Sequence, residues 1–112
     1  MSPSLPNIAQ AVISREKLEG YILNVEHRRG GHKARLLAQF GYTADNWRRL
    51  EYDIRRCIMD AEIETTRATM YGTRYEIVGL LNTPNGRDLR VRTVWQTDAG
   101  TNVPRLITLY PG

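Results

Sequence analysis

The amino-acid sequence predicts an α+β domain, about three N-terminal helices packed on a C-terminal antiparallel β-meander of roughly three to four strands. Two patterns predict it. Trp47, Leu50, Ile54, Cys57, Ile58 and Ala61 recur at the spacing of one helix face. From Tyr71 onward that period gives way to strand-like runs, interrupted by Thr83-Pro84-Asn85-Gly86 and by Asp98-Ala99-Gly100-Thr101-Asn102. Asn-Gly is the strongest short hairpin signal among these turns. Neither repeat nor linker divides the chain, so residues 1–112 are read as one domain: an arm (1–13), a helical part (14–61) and a meander (62–112).

In chain order, the arm is Pro-rich and then apolar (Ile8, Ala9, Val12, Ile13). Ser14 is a good N-cap for a first helix reaching about Leu23, with Leu18, Tyr21 and Ile22 on one side. Asn24 to Gly31 reads as a loop, and a second helix runs from about His32 to Phe40, stopped by Gly41. Thr43 caps a third helix over Ala44–Asp60. Glu62–Met70 fits either a loop or a strand, and strands follow at Tyr71–Leu81, Asp88–Gln96 and Val103–Tyr110.

Strand alternation sets Leu89, Val91, Thr93 and Trp95 on one face, opposite Arg90, Arg92 and Val94. On the last strand it groups Leu106, Thr108 and Tyr110, opposite Arg105, Ile107 and Leu109. The aliphatic-rich face packs on the helices, and the face with Arg, Thr and Tyr is left open to a ligand. Trp47 and Trp95 are read as core.

The chain has 112 residues, 41% hydrophobic and 25% charged, ordinary for a globular domain. No apolar run approaches the ~20 residues of a membrane span, and the N-terminus lacks a basic-then-apolar signal, so a cytoplasmic protein without a membrane partner is expected. Cys57 stands alone on the helical stripe and reads as a small buried hydrophobe. Net charge is +4, and of 16 Lys+Arg only Lys17 and Lys33 are lysine. Arginine dominance favours fork-shaped contacts to phosphate or carboxylate.

The basic residues concentrate in Arg28-Arg29-Gly30-Gly31-His32-Lys33-Ala34-Arg35, just after His27, with no acid inside the stretch. A Gly-Gly pair opening an apolar-periodic run reads as a flexible start to a helix. The first turn of a helix carries unpaired N–H groups and a positive dipole end, and so attracts anions. The pattern points to a polyphosphate ligand, most simply RNA. No Cys/His metal spacing, phosphate loop or dinucleotide glycine motif is visible, and no cofactor is implied. Metal-independent cleavage suits RNA, whose 2′-OH attacks the adjacent phosphorus. The protein then supplies a base, an acid and cations around the developing charge.

Three patches carry a resemblance: His27-x4-His32-Lys33-Ala34-Arg35, then Gly86-Arg87-x4-Arg92-Thr93-x-Trp95, then Pro104-Arg105-Leu106-Ile107-Thr108-x-Tyr110-Pro111. With Leu5-Pro6-Asn7 and Tyr71-Gly72-x-Arg74-Tyr75, they resemble a small bacterial domain family of unknown function over nearly the whole chain. Such domains occur alone or at the C-termini of secreted polymorphic toxins, often beside a small β-rich protein. The layout also resembles the barnase–EndoU–colicin–RelE group of metal-independent ribonuclease toxins. Val94 departs from the pattern, because a small residue is expected before Trp95.

The resemblance implies an endoribonuclease toxin that leaves a 2′,3′-cyclic phosphate, with RNA and a small, acidic antitoxin or immunity protein as partners. His32, Lys33, Arg92 and Thr108 are the candidate catalytic residues, and His27, Arg28, Arg29, Arg35, Thr93, Arg105 and Tyr110 the candidate RNA contacts. The rival reading is a non-catalytic RNA- or protein-binding module, such as an antitoxin or immunity protein.

Overall fold

Ser14 starts the first helix as a cap, its Oγ accepting the Lys17 N–H at 3.0 Å. In the computed structural model, which describes residues 4–112, α1 (Arg15–Lys17) runs directly into a π-helical turn, Leu18–Ile22. That turn is closed by the Leu23 N–H donating to the Leu18 carbonyl at 2.8 Å. Leu18 and Ile22 are fully buried, so the wider turn keeps both on the core side.

The second helix, α2, is Gly31–Gln39, and Gly41 stops it with a φ of +99°, a conformation few side chains tolerate. A single 3-10 turn, Ala44–Asn46, leads into α3, Trp47–Asp60. The Asn46 Oδ1 accepts the Thr43 N–H at 2.8 Å and fixes that corner. Leu50, Ile54, Cys57 and Ile58 are buried along α3 as the stripe predicts, while Trp47 is half-buried between the guanidinium groups of Arg15 and Arg48. Asp53 shares the buried stripe. It accepts from Tyr42 Oη at 2.6 Å and from Arg49 Nε at 2.8 Å. Burial, reinforced by that carboxylate, holds the Tyr42 hydroxyl well above the usual phenol range.

Four strands follow: β1 (Ile63–Thr69), β2 (Gly72–Asn82), β3 (Asp88–Asp98) and β4 (Pro104–Pro111). They pair antiparallel in the order β1-β2-β3-β4, a simple meander. The segment that fits loop or strand in the sequence is therefore β1. Its exposed, Thr-rich side chains give no alternation of burial from which a strand is read. The arm adds a short parallel bridge at the outer edge of β4, where the Val12 N–H donates to the Pro104 carbonyl at 2.8 Å and the Leu106 N–H to the Val12 carbonyl at 2.9 Å. Leu5, Ala11 and Ile13 of the arm are buried, and its residues 1–3 lie outside the described residues. Among the described residues no helix is long and apolar enough to cross a membrane.

The core lies between the helices and the inner sheet face, where Ile77, Leu81, Val91, Trp95 and Leu109 join Leu50, Ile54 and Ile58. Gly79 sits where α3 crosses β2, and a Cβ there stands 2.5 Å from Cys57 Sγ. Gly79→Ala is expected to destabilise by about 1–3 kcal/mol through overpacking. Cys57→Ala in the same chain is expected to recover part of that loss in urea melts.

One register change reverses a sequence expectation. Trp95 pairs with Leu106, but Val94 pairs with Thr108, so Ile107 is an extra residue in a bulge. Leu106, Thr108 and Tyr110 thus do not share a face. Leu106 and Leu109 are buried, and Thr108 and Tyr110 stand on the outer face opposite Val94 and Arg92.

Candidate functional site

The Gly-Gly pair is a packed corner rather than an open cradle. A Cβ at Gly31 meets the Val25 carbonyl oxygen at 2.5 Å, and one at Gly30 meets the Tyr21 ring at 3.0 Å. His27 occupies the donors ahead of the helix: its Nδ1 accepts the Arg29 and Gly30 N–H groups at 3.1 and 3.2 Å, and its carbonyl accepts the Gly31 N–H at 2.9 Å. Its ring stands edge-on to Tyr21, centroids 4.7 Å apart. His27 thus caps the loop ahead of α2, with its ring against Tyr21.

That corner aims Lys33 at the last strand. Its ammonium donates to Tyr21 Oη and to Thr108 Oγ1, each at 3.1 Å. It lies 5.0 Å from the Tyr21 ring centre and 6.0 Å from that of Tyr110. Thr108 Oγ1 also donates to Tyr21 Oη at 3.4 Å. The Thr108 hydrogen bond first, and the Lys33 ammonium second, hold the Tyr21 hydroxyl below the usual phenol range. Because the Tyr21 oxygen accepts twice, its own O–H is free to donate outward.

On the same outer face, Arg92 stands opposite Tyr110 and Glu76 opposite Val94. Arg92 donates to Glu76 Oε1 at 3.2 Å and to Glu64 Oε1 at 2.9 Å. Glu76, Val94 and Thr108 therefore form one row across three strands, with the outer two about 10 Å apart at two strand spacings. Val94 is 6% exposed and forms the floor of that row. The departure from the expected small residue thus makes the floor apolar and raised.

The structure brings together Lys33, Arg92, Thr108 and Tyr110 and adds Tyr21, Glu76 and Glu64, which sequence reasoning missed. Glu76 was findable by counting: with Asn85-Gly86 as the turn, strand parity puts it on the Arg92 face. Tyr21 was not, because its placement depends on the π-helical turn.

Other candidates lie elsewhere. Thr93 is fully buried on the inner face, where its Oγ1 accepts from Trp95 Nε1 at 2.9 Å and donates to the Ile77 carbonyl at 3.3 Å. Alternation had grouped it with Trp95, and that is where it packs, away from the open face. Arg105 forms a two-point ion pair with Asp98 at 2.8 and 3.2 Å. His32, Arg28, Arg29 and Arg35 are exposed, and Arg35 Nη1 donates to the Val25 carbonyl at 3.2 Å. None of these three arginines has an acidic partner among the described residues. No group of three His, Cys, Asp or Glu side chains is placed to hold a metal ion among the described residues.

Residues 4–112 match the domain of unknown function DUF6883. The chain belongs to that family. The DUF6883 fold has a solved counterpart: a chain of the contact-dependent growth inhibition toxin–immunity protein complex from Klebsiella pneumoniae 342 superposes with a TM-score of 0.73. The match covers 90% of this chain and 99% of that chain at 16% sequence identity, a likeness of fold. No curated protein matches the chain.

Proposed function

We propose that this DUF6883 chain is an endoribonuclease toxin that cuts RNA by 2′-OH attack, leaving a 2′,3′-cyclic phosphate and a free 5′-OH. The observation that carries the reading is the Lys33 ammonium held between Tyr21 and Thr108, beside Tyr110, on the face that also bears Arg92 and Glu76. In this reading the Glu76 carboxylate accepts the 2′-OH proton, and the 2′ oxygen forms a bond to phosphorus. Lys33 and Arg92 stabilise the charge on the non-bridging oxygens. The bond to the 5′ oxygen then breaks, and that oxygen takes its proton from Tyr21, whose hydroxyl is more acidic than an ordinary phenol and so suits a donor. Tyr110 offers a ring on which a base stacks. His32, exposed on the first turn of α2, is the alternative proton carrier.

The fold likeness to a chain of a toxin–immunity protein complex supports a place in such a system. It also keeps the second reading, a non-catalytic immunity or antitoxin module, because that complex contains both kinds of protein. The two carboxylate contacts of Arg92, one bond each to Glu76 and Glu64, favour the same alternative, since they hold the guanidinium away from a phosphate.

Expression of the chain alone in bacteria separates the readings: a toxin arrests growth and degrades RNA, whereas an immunity protein does neither. With purified chain, cleavage is expected to persist in excess chelator and to give cyclic-phosphate ends. His32→Ala then tells whether the histidine or Tyr21 carries the proton. Binding has its own test. If Arg28 and Arg29 meet phosphates, the affinity for single-stranded RNA falls with salt by about 0.7 log units per contact per log unit of salt. Changing both to alanine is expected to flatten that slope, measured by fluorescence anisotropy.

A further inference from the structure

The meander leaves part of one strand unpaired. β1 meets β2 only as far as Ile63 opposite Ile77, a pair that engages the Val78 N–H, so Leu80–Asn82 of β2 has β3 on one side and, among the described residues, no strand on the other. The backbone groups on that free side are known from the ladder. The Thr83 N–H bonds the Arg87 carbonyl, and the Arg90 carbonyl accepts from Gly112, away from β2. The Leu80–Arg90 pair is therefore a wide pair, so the N–H and carbonyl of Leu80 and the N–H of Asn82 point outward at the edge, whereas the Val78 N–H is turned to the end of β1. The Asn82 carbonyl on the same edge already accepts from Arg49 Nη2 at 3.1 Å.

This edge is also the floor of a groove of about 630 Å³, whose wall is α3. Arg49, Tyr52, Arg56 and Cys57 line it from the helix, and Val78 and Leu80 from the strand. Leu80 and Tyr52 are exposed at 55% and 57%, so apolar surface lies open beside unpaired amides. The other edges differ. The β4 edge is bridged by Val12, and the β1 edge is Thr-rich and begins in a bulge, a device that discourages pairing. Arg56 lines the groove and the exposed Arg90 stands opposite Leu80 on β3, and neither has an acidic partner among the described residues. Asp53 is already bonded to Tyr42 and Arg49, which leaves Asp60 as the acid at the far end.

We infer that the Leu80–Asn82 edge binds an acidic, extended segment of a partner protein as an added strand. Main-chain bonds to Leu80 and to the Asn82 N–H give the register. Alternate side chains of the segment lie against Leu80 and Tyr52, and its carboxylates meet Arg56 and Arg90. The inference rests on the edge and the groove and does not need the ribonuclease reading.

The test uses the whole chain and a short alternating glutamate–valine peptide, read by amide shifts in NMR. Saturable shifts are expected at Leu80 and Asn82, with little change at Lys33. Leu80→Pro removes the outward N–H without breaking a bond to β3, so it is expected to leave a folded domain that no longer binds. Arg56→Glu with Arg90→Glu leaves the backbone unaltered and is expected to weaken binding by about tenfold or more. Four results overturn the inference: no shift with the glutamate peptide, equal binding of a lysine–valine peptide, binding unaffected by the charge reversals, or a chain dimer in sedimentation whose loss on Arg56→Glu shows a second copy at the edge. An RNA oligonucleotide that shifts Arg56 and Arg90 but not the edge amides also overturns it, in favour of nucleic acid.

Discussion

If the chain is a ribonuclease as proposed, Lys33→Ala is expected to lower the single-turnover rate of RNA cleavage by about 10²–10⁴ while the domain remains folded. In that reading the rate loss follows from removing a fixed cation from where the phosphorane charge would develop. Fold retention follows from where Lys33 sits. It is half-buried at the sheet margin, and its bonds reach the hydroxyls of Tyr21 and Thr108 rather than a core charge. Losing them costs about 1–2 kcal/mol at most. Tyr21→Phe is expected to cost less alone, and the double variant much less than the sum, because the two groups act on one phosphate. Quench-flow cleavage of a short RNA and thermal melts of all three variants make the measurement. A folded Lys33→Ala chain that cuts at the wild-type rate removes the Lys33 cluster from the chemistry. Absence of cleavage in every form, the wild type included, favours the immunity or antitoxin reading.

Trp95→Ala is the largest expected loss of stability, about 3–5 kcal/mol. Trp95 is fully buried, pairs in register with Tyr75 and Leu106, and donates its Nε1 proton to Thr93. Alanine leaves an indole-sized void between helices and sheet. For a domain of this size the midpoint of thermal unfolding falls by on the order of 10–20 °C. Circular dichroism melts check it, and a fall of only a few degrees shows that the sheet and helices collapse to fill the space. Thr93→Val tests the companion bond: it retains the volume but removes the acceptor for the indole, at about 1–3 kcal/mol.

The fold was largely legible. Ser14, Gly41 and Thr43 mark helix ends because their conformations and side-chain bonds are local. The α3 stripe and the Asn85-Gly86 hairpin read directly for the same reason. β1 did not read directly, since an edge strand exposed along nearly its whole length has no buried side to impose alternation. The site was legible in part. Residue type and resemblance single out Lys33, Arg92, Thr108 and Tyr110 as candidates, and these side chains are neighbours in the fold. Thr93, of the same residue type and resemblance, is instead buried as the anchor of Trp95, and His27 caps the loop beside Tyr21.

By itself, the sequence determined the order of elements, the helix-then-meander class and the arginine-rich charge, because each follows from residue type and short-range spacing. The tertiary structure decided which side chains meet. The Lys33–Thr108 contact spans 75 positions and the Arg92–Glu76 contact 16. Both depend on register, and a single extra residue, Ile107, moves Thr108 and Tyr110 away from the face of Leu106. Register comes from many weak contacts summed over the whole core, so a local pattern with two-residue periodicity cannot reveal where one inserted residue reverses it.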